Sequence, residues 1–194
     1  MASLLPPDFS GFIAELSRRL QARQLPFMLI GGQAVLLHGR PRLTEDIDVT
    51  LGAGPEAWRS VREVCDELGL TPLPQDLEGF VRDTFVLPAR HGATGIRVDF
   101  IFSTTAYERQ AIDRAVPVTL GRVTVPFAAA EDLILHKLFA GRPRDLEDVA
   151  GVVRRKGAEL DWRYLERWAL EFAAVPGREG MPGAVERLRQ QMDP

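Results

Sequence analysis

Between Leu29 and Val49 the chain reads LIGGQAVLLHGRPRLTEDIDV, and this stretch limits what the remainder can fold into. An apolar strand, Phe27–Ile30, runs into the pair Gly31-Gly32. A short helical segment, Gln33–His38, follows, then a polar turn holding Pro41, then a second strand carrying Asp46-Ile47-Asp48. Side chains alternate across a strand, so Asp46 and Asp48 project to one face while Ile47 and Val49 project to the other. Two carboxylates side by side repel each other in a low-dielectric site. A divalent cation relieves the repulsion, and hard oxygen ligands of this kind suit Mg²⁺ or Mn²⁺ completed by waters and substrate phosphates. Glycines between a strand and a helix let backbone N–H groups approach an anion, at a helix end that favours negative charge. A D-x-D strand alone is more often a solvated or edge pair, and Gly-Gly alone mostly marks turns. In the order strand, glycine pair, helix, turn and acidic strand, they meet the minimum for handling a nucleoside triphosphate.

A carboxylate in a second apolar strand adds to this. The segment Ile96–Phe102 reads IRVDFIF, with Asp99 sharing a face with Arg97 and Ile101. An unpaired charge in such a strand is costly to bury. One reading is a salt bridge. The other places Asp99 beside Asp46 and Asp48 as a third metal ligand, positioned to accept a proton from an attacking hydroxyl.

Composition restricts the alternatives. The 194 residues, 45% hydrophobic and 26% charged, suffice for one substantial core with a smaller helical part. A net charge of −3 gives no overall basic field for nucleic acid, so any polyanion site is a local patch. The one cysteine, Cys65, lies on the apolar stripe of a helix expected over Pro55–Leu68 and reads as a small core residue. His38, His91 and His136 are too widely spaced to suggest zinc, and His38 reads as structural. No apolar run reaches the ~20 residues of a membrane span, and the N-terminus has no signal-peptide core, so the expected compartment is the cytoplasm with no membrane partner.

The other expected elements frame these motifs. Residues 8–23 read as an amphipathic helix with Phe12, Ile13, Leu16 and Leu20 inward and Arg18, Arg19 and Arg23 on a basic side. That side is a solvated face or, less simply, a polyanion contact. Residues 70–83 read as a linker with a short helix at Asp76–Arg82, and Thr84–Leu87 pairs with Ile96–Phe102 around the loop Pro88–Gly95. A helix over Thr105–Arg114 precedes a hairpin of Val116–Leu120 and Arg122–Val125. From Ala128 the pattern becomes helical, which places a boundary near residue 126: an α/β core over 1–126 and a helical domain over 127–194 packed against it. The first helix there, about 129–140, stops at Gly141, and Pro143 starts the next. Helices over Asp161–Ala174 and 181–192 complete the chain. Lys137 stands among Leu133, Ile134, Leu135 and Leu138, where it either snorkels or reaches into a cleft to bind phosphate. Asp145 and Asp148 lie near the start of the next helix, where the dipole alone would favour acids.

These residues carry a resemblance. Gly-Gly, then H-G-x-x-R-x-T-x-D-I-D, then a strand with V-D-F resembles the DNA polymerase β-type nucleotidyltransferase superfamily, a spacing in which residues 33 to 45 separate Gly32 from Asp46. More narrowly, E-D-L-I-x-x-K-L-x-A-G-R-x-R-D-x-x-D over 131–148 resembles the AbiEii-type nucleotidyltransferases, often toxins of toxin–antitoxin pairs. The resemblance implies an α+β fold, a mixed polymerase β-like sheet flanked by helices and followed by a C-terminal helical bundle. It implies an enzyme that moves NMP from an NTP to an acceptor hydroxyl by a two-metal mechanism, with Mg²⁺ (or Mn²⁺) as cofactor. The toxin branch implies a tRNA 3′ end as acceptor and an antitoxin as partner; transfer to a small molecule, as in aminoglycoside-modifying relatives, or to a protein, and a non-catalytic nucleotide-binding module are the alternatives. The implied roles are Gly31 and Gly32 on the triphosphate, Asp46, Asp48 and Asp99 on the metals, and Lys137 on the nucleotide or its phosphates. Asp145, with Arg144 and Asp148, orients nucleotide or Lys137, and Arg42 neutralises phosphate. Gln33 departs from the hydroxyl residue many members carry after the glycines and is expected to donate from its amide.

Overall fold

The structure is a computed structural model and describes residues 7–40, 44 and 46–192. The chain divides into two compact units: Met1–Gln33 with Leu43–Ala128, and Ala34–Arg42 with Ala129–Pro194.

The first unit is built on a seven-stranded mixed sheet. Its strands are β1 (Phe27–Leu29), β2 (Asp46–Leu51), β3 (Leu70–Pro72), β4 (Val86–His91), β5 (Arg97–Phe102), β6 (Val116–Leu120) and β7 (Val123–Phe127). Their spatial order is β3-β4-β5-β2-β1-β7-β6. β2 pairs in parallel with β5 and antiparallel with β1, and β1 runs parallel to β7. Alternation decides which face each residue takes. Ile47, Val49 and Leu51 of β2 and Val98, Phe100 and Phe102 of β5 are buried on one face. Asp46, Asp48 and Thr50 therefore share the other with Arg97, Asp99 and Ile101.

Helices cover this sheet where the sequence supplies a stripe. In α1 (Pro7–Ala22) Ile13, Leu16, Ser17 and Leu20 are fully buried, at helical spacing. Its basic side is paired with glutamates of the same unit. Arg18 pairs with Glu15 at 2.6 Å, Arg19 with Glu67 at 2.8 Å and Arg23 with Glu67 at 2.6 Å. These ion pairs accord with the solvated-face reading of the three arginines. In α3 (Trp58–Glu67) Val61, Val64 and Cys65 are buried, and burial pushes the Cys65 thiol up to about 12, which makes it inert. The expected linker over 70–83 also holds β3, and its expected short helix is α4 (Leu77–Thr84), capped by Asp76 accepting from Gly79 N at 3.0 Å. β4 runs to His91 rather than stopping at Leu87, because Pro88 and Ala89 continue to pair with β5. α5 (Ala106–Asp113) is capped by Thr105.

The helix α2 (Gly31–His38) begins in the first unit, and from Ala34 its residues cluster with the second. That unit otherwise comprises α6 (Ala130–Ala140), α7 (Pro143–Lys156), α8 (Trp162–Phe172) and α9 (Met181–Gln190). Gly141 ends α6 in the left-handed region (φ 67°), and Pro143 opens α7, as the sequence signals require. α6 is buried almost all round, from Ala130 to Leu135 and again at Lys137 and Leu138. Its polar side chains therefore need partners inside the unit. Tyr164 Oη donates to Asp132 Oδ1 at 2.7 Å, and Glu131 Oε1 accepts from the Asp161 backbone N–H at 2.9 Å. Tyr164→Phe, which strips one donor from a fully buried carboxylate, is expected to lower unfolding free energy by about 1–3 kcal/mol; urea unfolding checks it. Among the described residues no helix is long and apolar enough to cross a membrane.

Candidate active site

The acidic face forms where β2 and β5 run side by side. Asp46 stands opposite Arg97, and Asp48 opposite Asp99. Neighbouring strands lie about 4.8 Å apart, so the four side chains form a square of three carboxylates and one guanidinium. Asp46 is exposed, and Asp48, Asp99 and Arg97 are half-buried. Arg97 Nε donates to Asp99 Oδ1 at 2.9 Å. The Arg97 pKa is raised, first by that hydrogen bond and the charge of Asp99 and then by Asp46 and Asp48. Both readings of Asp99 are thus present together: it is salt-bridged, and it shares the face of the D-x-D pair.

The glycine pair serves the acidic strand as well as any anion. Gly31 has φ +62°, and a Cβ there would overlap Asp48 Oδ2. A Cβ on Gly32 would overlap the Thr44 hydroxyl. Only glycine at both positions lets Asp48 and Thr44 lie against the start of α2. Gly31→Ala should therefore displace Asp48 and combine strain with lost geometry, costing roughly 1–3 kcal/mol. Thermal melts and the orientation of Asp48 in a crystal structure of the variant test this together.

Gln33 is buried, and its Nε2 donates to the Asp46 carbonyl at 3.2 Å. Thr44 Oγ1 reaches the same carbonyl at 3.4 Å. The amide expected on a phosphate thus ties α2 to the first residue of β2. Gln33 Oε1 has no hydrogen-bond partner among the described residues. Arg42, the arginine expected on the phosphates, lies outside the described residues.

Lys137 lies in the helical unit. It neither snorkels nor stands in an open cleft: its Nζ sits between Asp145 Oδ1 at 2.7 Å and Asp148 Oδ2 at 2.8 Å, with all three side chains at most 7% exposed. The arginine on Asp145 is Arg142, at 2.6 Å, while Arg144 is exposed. One turn of α7 separates Asp145 from Asp148 and aims both at α6. Burial alone would raise the Asp145 carboxyl; hydrogen bonds from Arg142 and Lys137 override it and hold the group below its ordinary range. A depressed carboxyl contributes stability that is complete above its unfolded value, near 4, and is lost as pH falls through the folded one. The stability gap between wild type and Asp145→Asn should thus be widest at neutral pH and narrow steadily below about pH 4. Urea titrations followed by tryptophan fluorescence check this, and a constant gap would count against it.

Whether the acidic face suits a divalent metal follows from its donors. Asp46, Asp48 and Asp99 offer hard oxygens from one face of two adjacent strands, which fits Mg²⁺ or Mn²⁺ in kind. Among the described residues no group of three or more His, Cys, Asp or Glu is gathered closely enough to hold an ion, and Asp99 is turned onto Arg97. Thr44 and Arg97 carry no role assigned from the sequence, and Arg142, a basic residue expected on phosphate, is found on Asp145. Arg97 was findable as the residue two before Asp99, and Thr44 as part of the R-x-T-x-D-I-D run.

A mixed sheet bearing a strand–Gly-Gly–helix unit and acidic parallel strands has the polymerase β-like nucleotidyltransferase fold, and solved structures of that class share it. A nucleotidyltransferase-like protein from Paracoccidioides brasiliensis matches with TM-score 0.61 at 13% identity, over 94% of this chain and 88% of that one. The solution structure of the antibiotic-resistance factor ANT(2'')-Ia matches with TM-score 0.56 at 14% identity, over 97% of each chain. A crystal structure of ANT(2'')-Ia with adenylyl-2''-tobramycin matches with TM-score 0.52 at 17% identity, over 95% of this chain and 98% of that one. No curated protein matches the chain. The family described as nucleotidyl transferase AbiEii toxin of a Type IV TA system matches residues 14–192, and the chain belongs to it.

Proposed function

We propose that the protein transfers an NMP group from an NTP to an acceptor hydroxyl, releasing pyrophosphate, and that Asp46, Asp48 and Asp99 carry the chemistry. The observation that supports this most is the register of β2 and β5, which sets Asp99 directly opposite Asp48 on the face Asp46 shares. The three carboxylates would hold Mg²⁺ or Mn²⁺, which when bound lowers the pKa of an acceptor hydroxyl and neutralises charge on the departing phosphates. Asp99 takes the proton of the acceptor hydroxyl. Backbone N–H groups at the start of α2, freed of side chains by Gly31 and Gly32, hold the triphosphate. Gln33 and Thr44 fix the Asp46 carbonyl and so the aim of the D-x-D pair. Lys137 and Asp145 are assigned to the nucleotide on the family resemblance; Lys137 is held for that task by Asp145 and Asp148. Arg42 and Arg144 add positive charge toward phosphate. The α/β core and the helical domain, divided near residue 126 except that α2 from Ala34 clusters with the helical unit, both belong to the enzyme, which works in the cytoplasm.

The acceptor we favour is RNA, a tRNA 3′ end, in line with membership of a toxin family whose system includes an antitoxin. A second reading, transfer to a small alcohol, draws on the fold shared with a protein whose complex holds adenylyl-2''-tobramycin and on the net charge of −3. Incubating the protein and Mg²⁺ with each α-³²P-labelled NTP in turn, against total tRNA or a panel of aminoglycosides, separates the two. Label co-migrating with tRNA is expected. Label on the aminoglycoside alone would move the assignment to the second reading, and label on neither substrate would remove both acceptors.

A further inference from the structure

The square on the acidic face holds an ion pair, Arg97 on Asp99, that the proposed chemistry does not use. Asp48 and Asp99 are like charges in directly paired positions, an arrangement that destabilises a sheet. Arg97 fills the fourth corner, opposite Asp46 on β2 and opposite Arg90 on β4. Arg90 turns away, its Nη1 donating to Gly95 O at 3.0 Å. Arg97 is repelled from the β4 side and attracted from the β2 side, and its Nε settles on Asp99 Oδ1 at 2.9 Å with 41% of its side chain exposed. This bond occupies an oxygen that metal coordination would need. A half-exposed arginine exchanges a carboxylate for water at small cost, so the bond does not lock Asp99.

We propose that Arg97 is the resident counter-cation of this face: it pairs with Asp99 when no metal is bound and is displaced from it when a divalent ion arrives. Arg97 is thus a positioning residue that acts through Asp99 and sets the metal affinity of the site. The inference rests on the metal-dependent reading above. A guanidinium in the square supplies charge that an ion would otherwise supply, so the metal-free face is stable but the first ion must compete for Asp99. Metal affinity is in this way held low until a nucleotide triphosphate adds its own oxygens to the ligand set. Neutralising Arg97 removes the competitor and a positive charge a few ångströms from the ion.

The test is Mn²⁺ binding to the nucleotide-free full chain, read from the electron paramagnetic resonance signal of free Mn²⁺, with a thermal melt of each sample. Arg97→Gln should bind Mn²⁺ about tenfold tighter than wild type, with a lower metal-free Tm that Mn²⁺ restores. Arg97→Lys, which keeps the charge, should stay within about threefold of wild type. In an Asp99→Asn background the gain from Arg97→Gln should shrink, because the pair is already broken. A purely structural role for Arg97 would lower Tm in the glutamine variant without tightening Mn²⁺. Equal or weaker Mn²⁺ binding by folded Arg97→Gln, with wild type still binding, overturns the counter-cation role and leaves the metal site standing. Absence of Mn²⁺ binding in both proteins overturns the metal reading, and this role with it.

Discussion

Lys137→Met should lower the unfolding free energy by about 3–5 kcal/mol, because it removes the cation from between two buried carboxylates. In a chain of this size that corresponds to a fall of roughly 10 °C in Tm. The cost arises from what remains. Asp145 and Asp148 are 4% and 6% exposed, and Arg142, whose own side chain is 75% exposed, pairs with Asp145. A second neutralisation should therefore rescue. Lys137→Met with Asp148→Asn should recover at least half of the lost stability, because one of the two carboxylates that faced the lysine is then neutral. Melting curves of the single and double variants measure this. If Lys137→Met melts with the wild type, the clasp holds nothing together and Lys137 is free for a ligand outright. If the double variant recovers stability yet does not transfer NMP, the lysine has a task beyond the fold.

Asp48→Asn should have the opposite profile. Asparagine is isosteric with the half-buried Asp48 and relieves the like charge opposite it, so Tm should change little, by no more than about 1 kcal/mol of stability. NMP transfer should fall by at least about a thousandfold, since the carboxylate lost is the one flanked by both other acids of the face. Label transfer from α-³²P NTP and a melting curve on the same preparation give both numbers. A variant that loses stability and activity in proportion would assign Asp48 to the scaffold.

The two variants illustrate what could be read in the residues. Period-2 alternation was enough to place Asp46 and Asp48 on one face and Ile47 and Val49 on the other, because one face of β2 must be buried and a slip of one residue would invert the strand. Gly141 and Pro143 likewise marked the junction of α6 and α7. What alternation cannot give is which strands become neighbours. Asp99 meets Asp48 through a parallel pairing of segments some fifty residues apart, and Arg97 acquires its partners by the same pairing. The local pattern around Lys137 has a similar limit: a lysine among leucines reads as snorkelling or cleft-facing until a second helix brings two carboxylates to it, and the family resemblance alone linked it to Asp145 and Asp148. β3 and the extension of β4 were missed because Pro72 and Pro88 argue against strands in sequence. The glycine pair was read as a phosphate cradle, although its nearest occupants within the unit are the Asp48 and Thr44 side chains.

The most direct test of nucleotidyl transfer is to follow two labels through one reaction. The protein is incubated with Mg²⁺, the acceptor and NTP labelled either at the α- or at the γ-phosphorus, and products are resolved by thin-layer chromatography. The expected result is α-label on the acceptor, γ-label in pyrophosphate in equal amount, and neither product with the Asp46→Asn/Asp48→Asn variant. Label from the γ-position on the acceptor, γ-label released as orthophosphate, or undiminished turnover by the double variant would contradict it.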